Sequence, residues 1–294
     1  MNAPHPIPYQ GSKRQIASYI LSFFPQEIAT LIEPFVGSAA LSIAAACQGK
    51  AARFHLNDIN QPLMALWDEM THNPRGIANS YSRLWHEQQG QARTHYDQVR
   101  DEFNRTPQPD LLLYLLARCV KASVRYNPKG EFNQSPDNRR LGRNPERMAA
   151  DIFAVSHLFR GRTTITSQDY GEVLTRATQD DLVYLDPPYQ GVGSNGAPRY
   201  FGGVEFVESV QELARLNKRD TPFILSYDGQ TGDKVYGQEL PTELNLYRVE
   251  VNAGRSSQST LLGRRDRVCK AIAGAAFRTR KGVSQEGYKL MEIA

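Results

Sequence analysis

Short apolar runs alternate with amphipathic stretches near both ends of the chain. Leu31–Glu33 is an apolar run that ends in an acid, Ala39–Gln48 is rich in Ala and Leu, and Arg53–Leu56 is another short run. A strand, a turn, a helix and a strand in this order are typical of a parallel α/β sheet. The alternation returns later in the chain, where it predicts further strands at residues 163–166, 182–185 and 223–226.

The region between these two halves has a helical pattern. It predicts helices at Pro62–Met70, Pro74–Gln88, Thr94–Phe103 and Asp110–Val124. Turn residues at 128–130 predict a hairpin near residues 125–140, and an Asn-Pro pair at 144–145 predicts the start of another helix. We therefore expect one α/β domain, made of residues 1–60 and 160–294, with a mostly helical insert at residues 61–159.

Composition excludes several classes of protein. Hydrophobic residues make up 40% of the 294-residue chain and charged residues 22%, which are ordinary globular values. No apolar run approaches the 18 residues of a membrane span, and the first residues lack the pattern of a signal peptide. Three widely spaced cysteines suit a reducing cytoplasm. Neither these cysteines nor the histidines have metal-ligand spacing, so we expect no metal.

The charge is informative through its distribution rather than through its total of +4. Eight basic and three acidic residues lie between Arg118 and Arg147, and nine basic and two acidic residues lie between Arg248 and Lys281. The rest of the chain is therefore net acidic. Two basic segments on an acidic body favour a polyanionic partner such as nucleic acid.

The sharpest motif is Asp186-Pro187-Pro188-Tyr189, which directly follows the predicted strand at 182–185. Functional groups of open α/β sheets gather at the carboxyl ends of their strands. A carboxylate, a carbonyl fixed by proline and an aromatic face are suited to hold a planar amino group. The alternative interpretation is a strand that ends in a Pro-Pro turn with a capping Asp.

Two further segments suggest a small-ligand site. Glu33–Ala39 is a turn that opens a helix after the first strand, where a glycine lets a ligand approach the backbone. Asp58 closes the next strand, at a position where an acid can bind ribose hydroxyls. Tyr9–Lys13 combines an aromatic ring, a Gly-Ser turn and a cation, which together suit a small ligand that carries a carboxylate. The P-loop and dinucleotide-binding glycine patterns are absent.

In this order, the motifs resemble those of the Dam-like, alpha-class adenine-N6 DNA methyltransferases. Tyr9–Lys13 is similar to the family's aromatic-x-Gly-Gly-Lys segment, with Ser12 in place of the second Gly. Glu33–Ala39 resembles its Pro-Phe-x-Gly-x-Gly loop, with Ala39 in place of the last Gly, and residues 57–60 resemble its acidic ribose-binding segment. Asp186–Tyr189 matches the catalytic tetrapeptide fully. Residues 125–133 resemble the DNA-contacting hairpin, and residues 254–265 resemble a basic C-terminal β-finger.

The resemblance implies a Rossmann-like methyltransferase sheet and a set of site residues. The implied catalytic residues are Asp186, Pro187, Pro188 and Tyr189. The implied residues for binding S-adenosylmethionine are Tyr9, Gly11, Ser12, Lys13, Glu33, Pro34, Phe35, Gly37, Ser38, Ala39, Asp58, Ile59, Asp169, Tyr170 and Asp186. The implied DNA-binding residues are Arg125, Tyr126, Lys129, Phe132, Asn133, Gln134, Arg139, Arg140, Arg255, Arg264 and Arg265.

The same resemblance implies methyl transfer to N6 of a flipped adenine in double-stranded DNA, with a restriction endonuclease as a possible companion and a monomer or weak dimer as the assembly. N4-cytosine methylation is the nearest alternative, because that amine has the same weak nucleophilicity. RNA or protein-glutamine methylation and a non-catalytic DNA-binding module are further alternatives. For individual residues, Asp169 alternatively caps a helix, and Tyr126 and Phe132 alternatively pin the hairpin to the insert.

Overall fold

The computed structural model describes residues 3–188, 205–231, 234–235, 238–255, 267–274 and 290–292. Its centre is a sheet with five parallel strands in the order β3-β2-β1-β4-β5. Their bounds are β1 Thr30–Glu33, β2 Arg53–Asn57, β3 Thr163–Thr166, β4 Leu182–Leu185 and β5 Phe223–Thr231. The expected α/β sheet is therefore confirmed, and the strands predicted at 163–166 and 182–185 have the predicted bounds.

Antiparallel strands extend the sheet beyond β5. Here β8 (Arg267–Gly274) pairs with β5, β7 (Tyr247–Arg255) pairs with β8, and β9 (Leu290–Glu292) pairs with β7. The short β6 (Lys234–Val235) pairs with the end of β5. The parallel order reverses between β1 and β4, and ligands of open α/β sheets bind at such a switch point.

The helices fall into two groups by their place in the chain. Those outside the stretch between β2 and β3 are α1 Ala17–Leu21, α2 Ala40–Cys47, α8 Tyr170–Thr175 and α9 Phe206–Lys218. Those between β2 and β3 are α3 Gln61–His72, α4 Pro74–Glu87, α5 Ala92–Arg105, α6 Pro109–Arg118 and α7 Pro145–Phe159. As predicted, Asn144 caps α7, because its side chain accepts a hydrogen bond from the Arg147 N–H.

The helical region and the sheet share one hydrophobic core. A continuous cluster of buried residues includes Leu31 and Phe54 of the sheet together with Trp67 and Tyr114 of the helices. The Phe54 and Phe159 rings lie 5.4 Å apart. Because these residues form one continuous cluster, the helices pack directly onto the sheet and support the loops between them. The domain boundaries themselves stay a prediction.

The prediction for the fourth helix of the insert, Asp110–Val124, is wrong at its C-terminal end. α6 ends at Arg118, since Cys119 is extended with φ −72° and ψ 157° and forms an isolated antiparallel bridge with Pro136. Lys121 and Ala122 then adopt positive φ angles of 59° and 48°. The residues after Arg118 remain apolar, but the chain turns back here and pairs with the residues that follow the hairpin, so the helix does not continue.

Candidate active site

One cleft lies at the carboxyl edge of the parallel strands, at the switch point between β1 and β4. Each of the first four strands contributes residues to it, and the N-terminal segment covers one side. Its lining includes Tyr9, Gly11, Ser12, Lys13, Glu33, Pro34, Phe35, Gly37, Ser38, Asp58, Ile59, Gln168, Asp169, Tyr170, Asp186, Pro187 and Pro188. The fold therefore brings segments together that the sequence separates by more than 170 residues.

The loop after β1 is built around two left-handed residues. Gly37 has a φ of +47°, and a Cβ there would lie 3.2 Å from the Tyr9 ring. Its N–H donates to Asp58 Oδ2 at 3.2 Å, and its carbonyl accepts from Trp67 Nε1 at 2.9 Å. Ala39 also has a positive φ, 48°, just before α2. Ala39 thus occupies, at some strain, a conformation that glycine adopts more easily.

Glu33 lies at the bottom of this loop. Its side chain is buried, and Oε1 accepts a hydrogen bond of 2.7 Å from the Ser42 N–H in the first turn of α2. Burial, with a smaller contribution from the Asp186 charge, raises the pKa of Glu33 to about 7, while the Ser42 hydrogen bonds and Lys13 oppose the rise. Glu33 therefore holds the helix start against the strand, in addition to lining the cleft.

Asp58 closes β2 with its carboxylate at the cleft. Its two oxygens accept hydrogen bonds from the backbone of Gly37 and Asn60, at 3.2 and 3.0 Å. Burial nevertheless raises the pKa of Asp58 to about 6, because the two hydrogen bonds offset only part of the lost solvation. Each carboxylate oxygen keeps a lone pair for a further donor such as a hydroxyl group.

The N-terminal segment contacts the Asp186–Tyr189 motif directly. Lys13 has a side chain that is 3% exposed, and its Nζ donates to both carboxylate oxygens of Asp186. Ser38 Oγ donates to Ser12 Oγ at 3.0 Å, which ties the same segment to the loop after β1. The sequence suggested a ligand carboxylate for this lysine. In the structure its partner is a carboxylate of the protein itself.

The Asp186–Tyr189 tetrapeptide begins where β4 ends. Asp186, Pro187 and Pro188 are half-buried and line the cleft. Below them, the buried Tyr184 hydroxyl and Ser226 Oγ of β5 share a hydrogen bond of 2.7 Å. Tyr189, the last residue of the motif, lies outside the described residues.

The opposite wall of the cleft follows β3. Asp169 Oδ1 accepts a hydrogen bond from the Gly171 N–H at 2.8 Å, so this residue caps α8 as well as lining the cleft. The Tyr170 ring packs 5.2 Å from the Phe35 ring, and Ile59 is 43% exposed. Sequence reasoning missed Gln168, which has no recognisable motif around it. Its buried Oε1 has no hydrogen-bond partner among the residues that the structure describes.

The expected DNA-binding residues divide by exposure. In the described part of the chain, Arg125, Lys129, Asn133, Arg139 and Arg140 are exposed, and Gln134 is half-buried. The hairpin exists as an antiparallel pairing of Tyr126 with Phe132. The side chain of Arg255 and all of Arg264 and Arg265 lie outside the description.

The prediction for Phe132 is wrong. Its side chain is 1% exposed, and its ring packs 6.0 Å from Phe103 of α5. Tyr126 is half-buried, with its ring 5.9 Å from Phe132 and its hydroxyl 3.4 Å from Asn60 Oδ1. These aromatic residues attach the hairpin to the insert and to the Asp58 loop. Removing their apolar rings from water stabilises this attachment.

Comparison with known proteins identifies the family. The model of the D12 class N6 adenine-specific DNA methyltransferases matches residues 9–253. The chain belongs to this family. The match contains both the cleft and the helical region, so the Dam-like resemblance and the Rossmann-like methyltransferase fold are confirmed.

Several proteins are similar to this D12 class chain. The DNA N-6-adenine-methyltransferase of Escherichia phage P1 is 28% identical over 217 residues, which are 71% of this chain and 26% of that protein. The Type II methyltransferase M1.LlaDCHI of Lactococcus lactis is 23% identical over 268 residues, covering 87% and 90% of the two chains. The DNA adenine methylase of Vibrio cholerae is 27% identical over 185 residues, covering 62% and 63%.

Two further properties concern the described part of this family member. No helix there is long and apolar enough to cross a membrane. No group of three or more His, Cys, Asp or Glu side chains is arranged there to hold a metal ion.

Proposed function

We propose that this D12 class protein transfers a methyl group from S-adenosylmethionine to N6 of a flipped adenine at specific sites in double-stranded DNA. The observation that carries the proposal is the cleft itself. It joins Asp186 and two prolines at one end to Asp58 and the Gly37 loop at the other. A site for an amino group and a site for a nucleoside therefore lie in one cavity.

The residues at the Asp186 end explain how an exocyclic amine is made reactive. Such an amine is a poor nucleophile because its lone pair is delocalised into the ring. Asp186 and the Pro187 carbonyl accept its two N–H bonds, which favours a pyramidal nitrogen whose lone pair points out of the ring plane. Lys13 fixes the orientation of Asp186 by donating to both oxygens. We propose that Tyr189 stacks on the base.

The residues at the other end fit S-adenosylmethionine. When bound, this cofactor supplies an electrophilic methyl group on a sulfonium sulfur. Asp58 retains acceptor lone pairs suited to ribose hydroxyls, and the unpartnered Gln168 Oε1 is an acceptor suited to an amine. Gly37 lines the cleft and lets the Tyr9 ring pack closely against the loop, where a Cβ would lie 3.2 Å from that ring. Tyr9, Gly11, Ser12, Phe35, Ile59, Asp169 and Tyr170 complete the proposed contacts.

The helical insert at residues 61–159 is the proposed DNA-recognition domain. Its exposed Arg125, Lys129, Asn133, Arg139 and Arg140 match phosphate oxygens and base edges, together with Gln134. We propose the same backbone role for Arg255, Arg264 and Arg265. Because the relatives include a type II methyltransferase, a role as the modification enzyme beside a restriction endonuclease is part of the proposal.

The proposal is tested with labelled S-adenosylmethionine and mixed-sequence duplex DNA. We expect the wild-type protein to label the DNA, and Asp186→Ala to reduce the rate at least 100-fold while DNA binding changes less than threefold. Asp180→Ala is the matched control, since it removes an exposed carboxylate just before the same strand. Loss of labelling in the control as well, or full activity of Asp186→Ala, would contradict the role of Asp186.

A further inference from the structure

The segment after the hairpin, residues 132–143, is held from below by buried side chains of the helical insert. We call it the recognition segment. Asn104 accepts from the Phe132 N–H at 2.7 Å and donates to the Phe132 carbonyl at 3.1 Å. Four more side chains donate hydrogen bonds of 2.7–3.1 Å to backbone carbonyls of the segment. The donor and acceptor pairs are Tyr96 to Gln134, Arg118 to Asp137, Gln88 to Leu141 and Tyr81 to Arg143.

All of these bonds end on backbone atoms. Gln88, Arg118 and Tyr114, whose hydroxyl donates to Gln88 Oε1, are almost fully buried. Buried polar groups of this kind are stable only when they are paired, so the segment has one favoured backbone conformation. Its exposed side chains are consequently presented from a rigid platform, with no need for the loop to order on binding.

Asp137 lies at the centre of this platform, and its side chain is 6% exposed. Its carboxylate accepts from Arg139 Nε and Nη2 at 3.0 and 3.2 Å, and from Arg140 Nε and Nη2 at 3.1 and 2.8 Å. These hydrogen bonds hold the pKa of Asp137 well below its usual range. The two arginine side chains are nevertheless 75% and 72% exposed. Each guanidinium has five N–H donors, so most of its donors remain for a partner.

A carboxylate at this position is unexpected for a surface that only attracts phosphate. It lowers the net positive charge of the segment, and holding two long side chains in one geometry has an entropic penalty. A phosphate contact tolerates a mobile arginine, whereas a bidentate contact with a base edge requires the planar guanidinium in a fixed orientation. The arrangement therefore favours base discrimination over simple attraction.

We propose that Asp137 is a positioning residue for sequence specificity, which fixes Arg139 and Arg140 for contact with base edges. This inference rests on the proposed function. It predicts a loss of discrimination that electrostatic attraction alone does not explain. Removing the negative charge should strengthen binding to any duplex, but it should weaken the distinction between the recognition site and a site with one changed base pair.

The test begins with the wild-type protein, whose methylated sites are mapped by sequencing treated DNA. If the wild type methylates no DNA, the proposed function fails, and that result is separate from the inference. The kcat/KM ratio between the mapped site and single-base-pair variants is then measured for Asp137→Asn. This variant keeps an oxygen acceptor for the Arg139 N–H, which Asp137 Oδ1 binds at 3.1 Å.

We expect the ratio to fall about tenfold or more for at least one base-pair position, with activity on the mapped site reduced less than the ratio. Asp101→Asn is the matched control, since it removes an exposed carboxylate paired with Arg100 on α5. The control should leave the ratio unchanged. A ratio within twofold of the wild-type value for Asp137→Asn would overturn the inference.

A double substitution separates positioning from a general effect on folding. Because Arg139 and Arg140 are exposed, replacing both with Gln leaves the core intact. This double variant should lose the same discrimination, and adding Asp137→Asn to it should cause no further loss. A further loss of tenfold in the triple variant would show that Asp137 does not act through these arginines.

Discussion

Glu33 is a buried carboxyl group whose ionisation works against folding. Burial raises its pKa to about 7 from an ordinary 4.5. Since each pKa unit corresponds to about 1.4 kcal/mol, the ionised group destabilises the folded state by about 3 kcal/mol. Below pH 4.5 the group is protonated in both states. Between about pH 4.5 and 7 it ionises only in the unfolded state, so its contribution to stability is lost as the pH rises, and above pH 7 the whole penalty remains.

Glu33→Gln removes this dependence on pH. The amide oxygen of Gln can still accept the Ser42 N–H that Glu33 binds at 2.7 Å, so the start of α2 keeps its partner. We therefore expect the variant to gain stability relative to the wild type as the pH rises, by about 2 kcal/mol between pH 5 and pH 8.5.

The measurement is urea unfolding followed by tryptophan fluorescence, since Trp67 is fully buried. Wild type and variant are compared at pH 5 and pH 8.5. Glu27→Gln is the control, because Glu27 is exposed and its replacement should act equally at both pH values. If the difference in the free energy of unfolding between Glu33→Gln and wild type changes by less than about 0.5 kcal/mol between pH 5 and pH 8.5, the buried carboxyl does not titrate as described.

Two further predictions concern the cleft. Gly37→Ala places a Cβ 3.2 Å from the Tyr9 ring at a φ of +47°. We therefore expect S-adenosylmethionine binding, measured by calorimetry, to become about tenfold weaker. Unchanged binding would show that the loop geometry is not required. Lys13→Met removes the Nζ donor that holds Asp186, and we expect kcat to fall about 100-fold with little change in DNA affinity, measured by steady-state kinetics and gel shift. Equal losses in kcat and DNA affinity would indicate a collapsed site.

The sequence was sufficient to predict the parallel strands of the sheet. The β-branched run at residues 163–166 and the apolar run at residues 182–185 both favour a strand, and the structure has strands with those bounds. Local signals also located the cap at Asn144, since the Asn-Pro pair acts within one helical turn. The apolar run after Asp110 predicted too long a helix, because the end of α6 depends on pairing between Cys119 and Pro136, which are distant in the sequence.

The site could be predicted only in part, because some of its contacts also join residues that are distant in the sequence. Motifs identified the segments that meet in the cleft, but the contact between Lys13 and Asp186 joins residues 173 positions apart. Phe132 was assigned to DNA because aromatic residues in a basic loop are typical of nucleic-acid contacts, while its burial depends on the packing of α5. Asp137 carried no signal at all, because a single acid in a basic segment has meaning only once its neighbours are placed.

The chemical identity of the product is the most direct test of the proposed function. Duplex DNA treated with the protein and S-adenosylmethionine is digested to nucleosides, which are separated and identified by mass spectrometry. We expect N6-methyladenine as the methylated base, and its absence after treatment with Asp186→Ala. N4-methylcytosine, or no methylated base despite measured binding of the cofactor and of DNA, would contradict the proposed function.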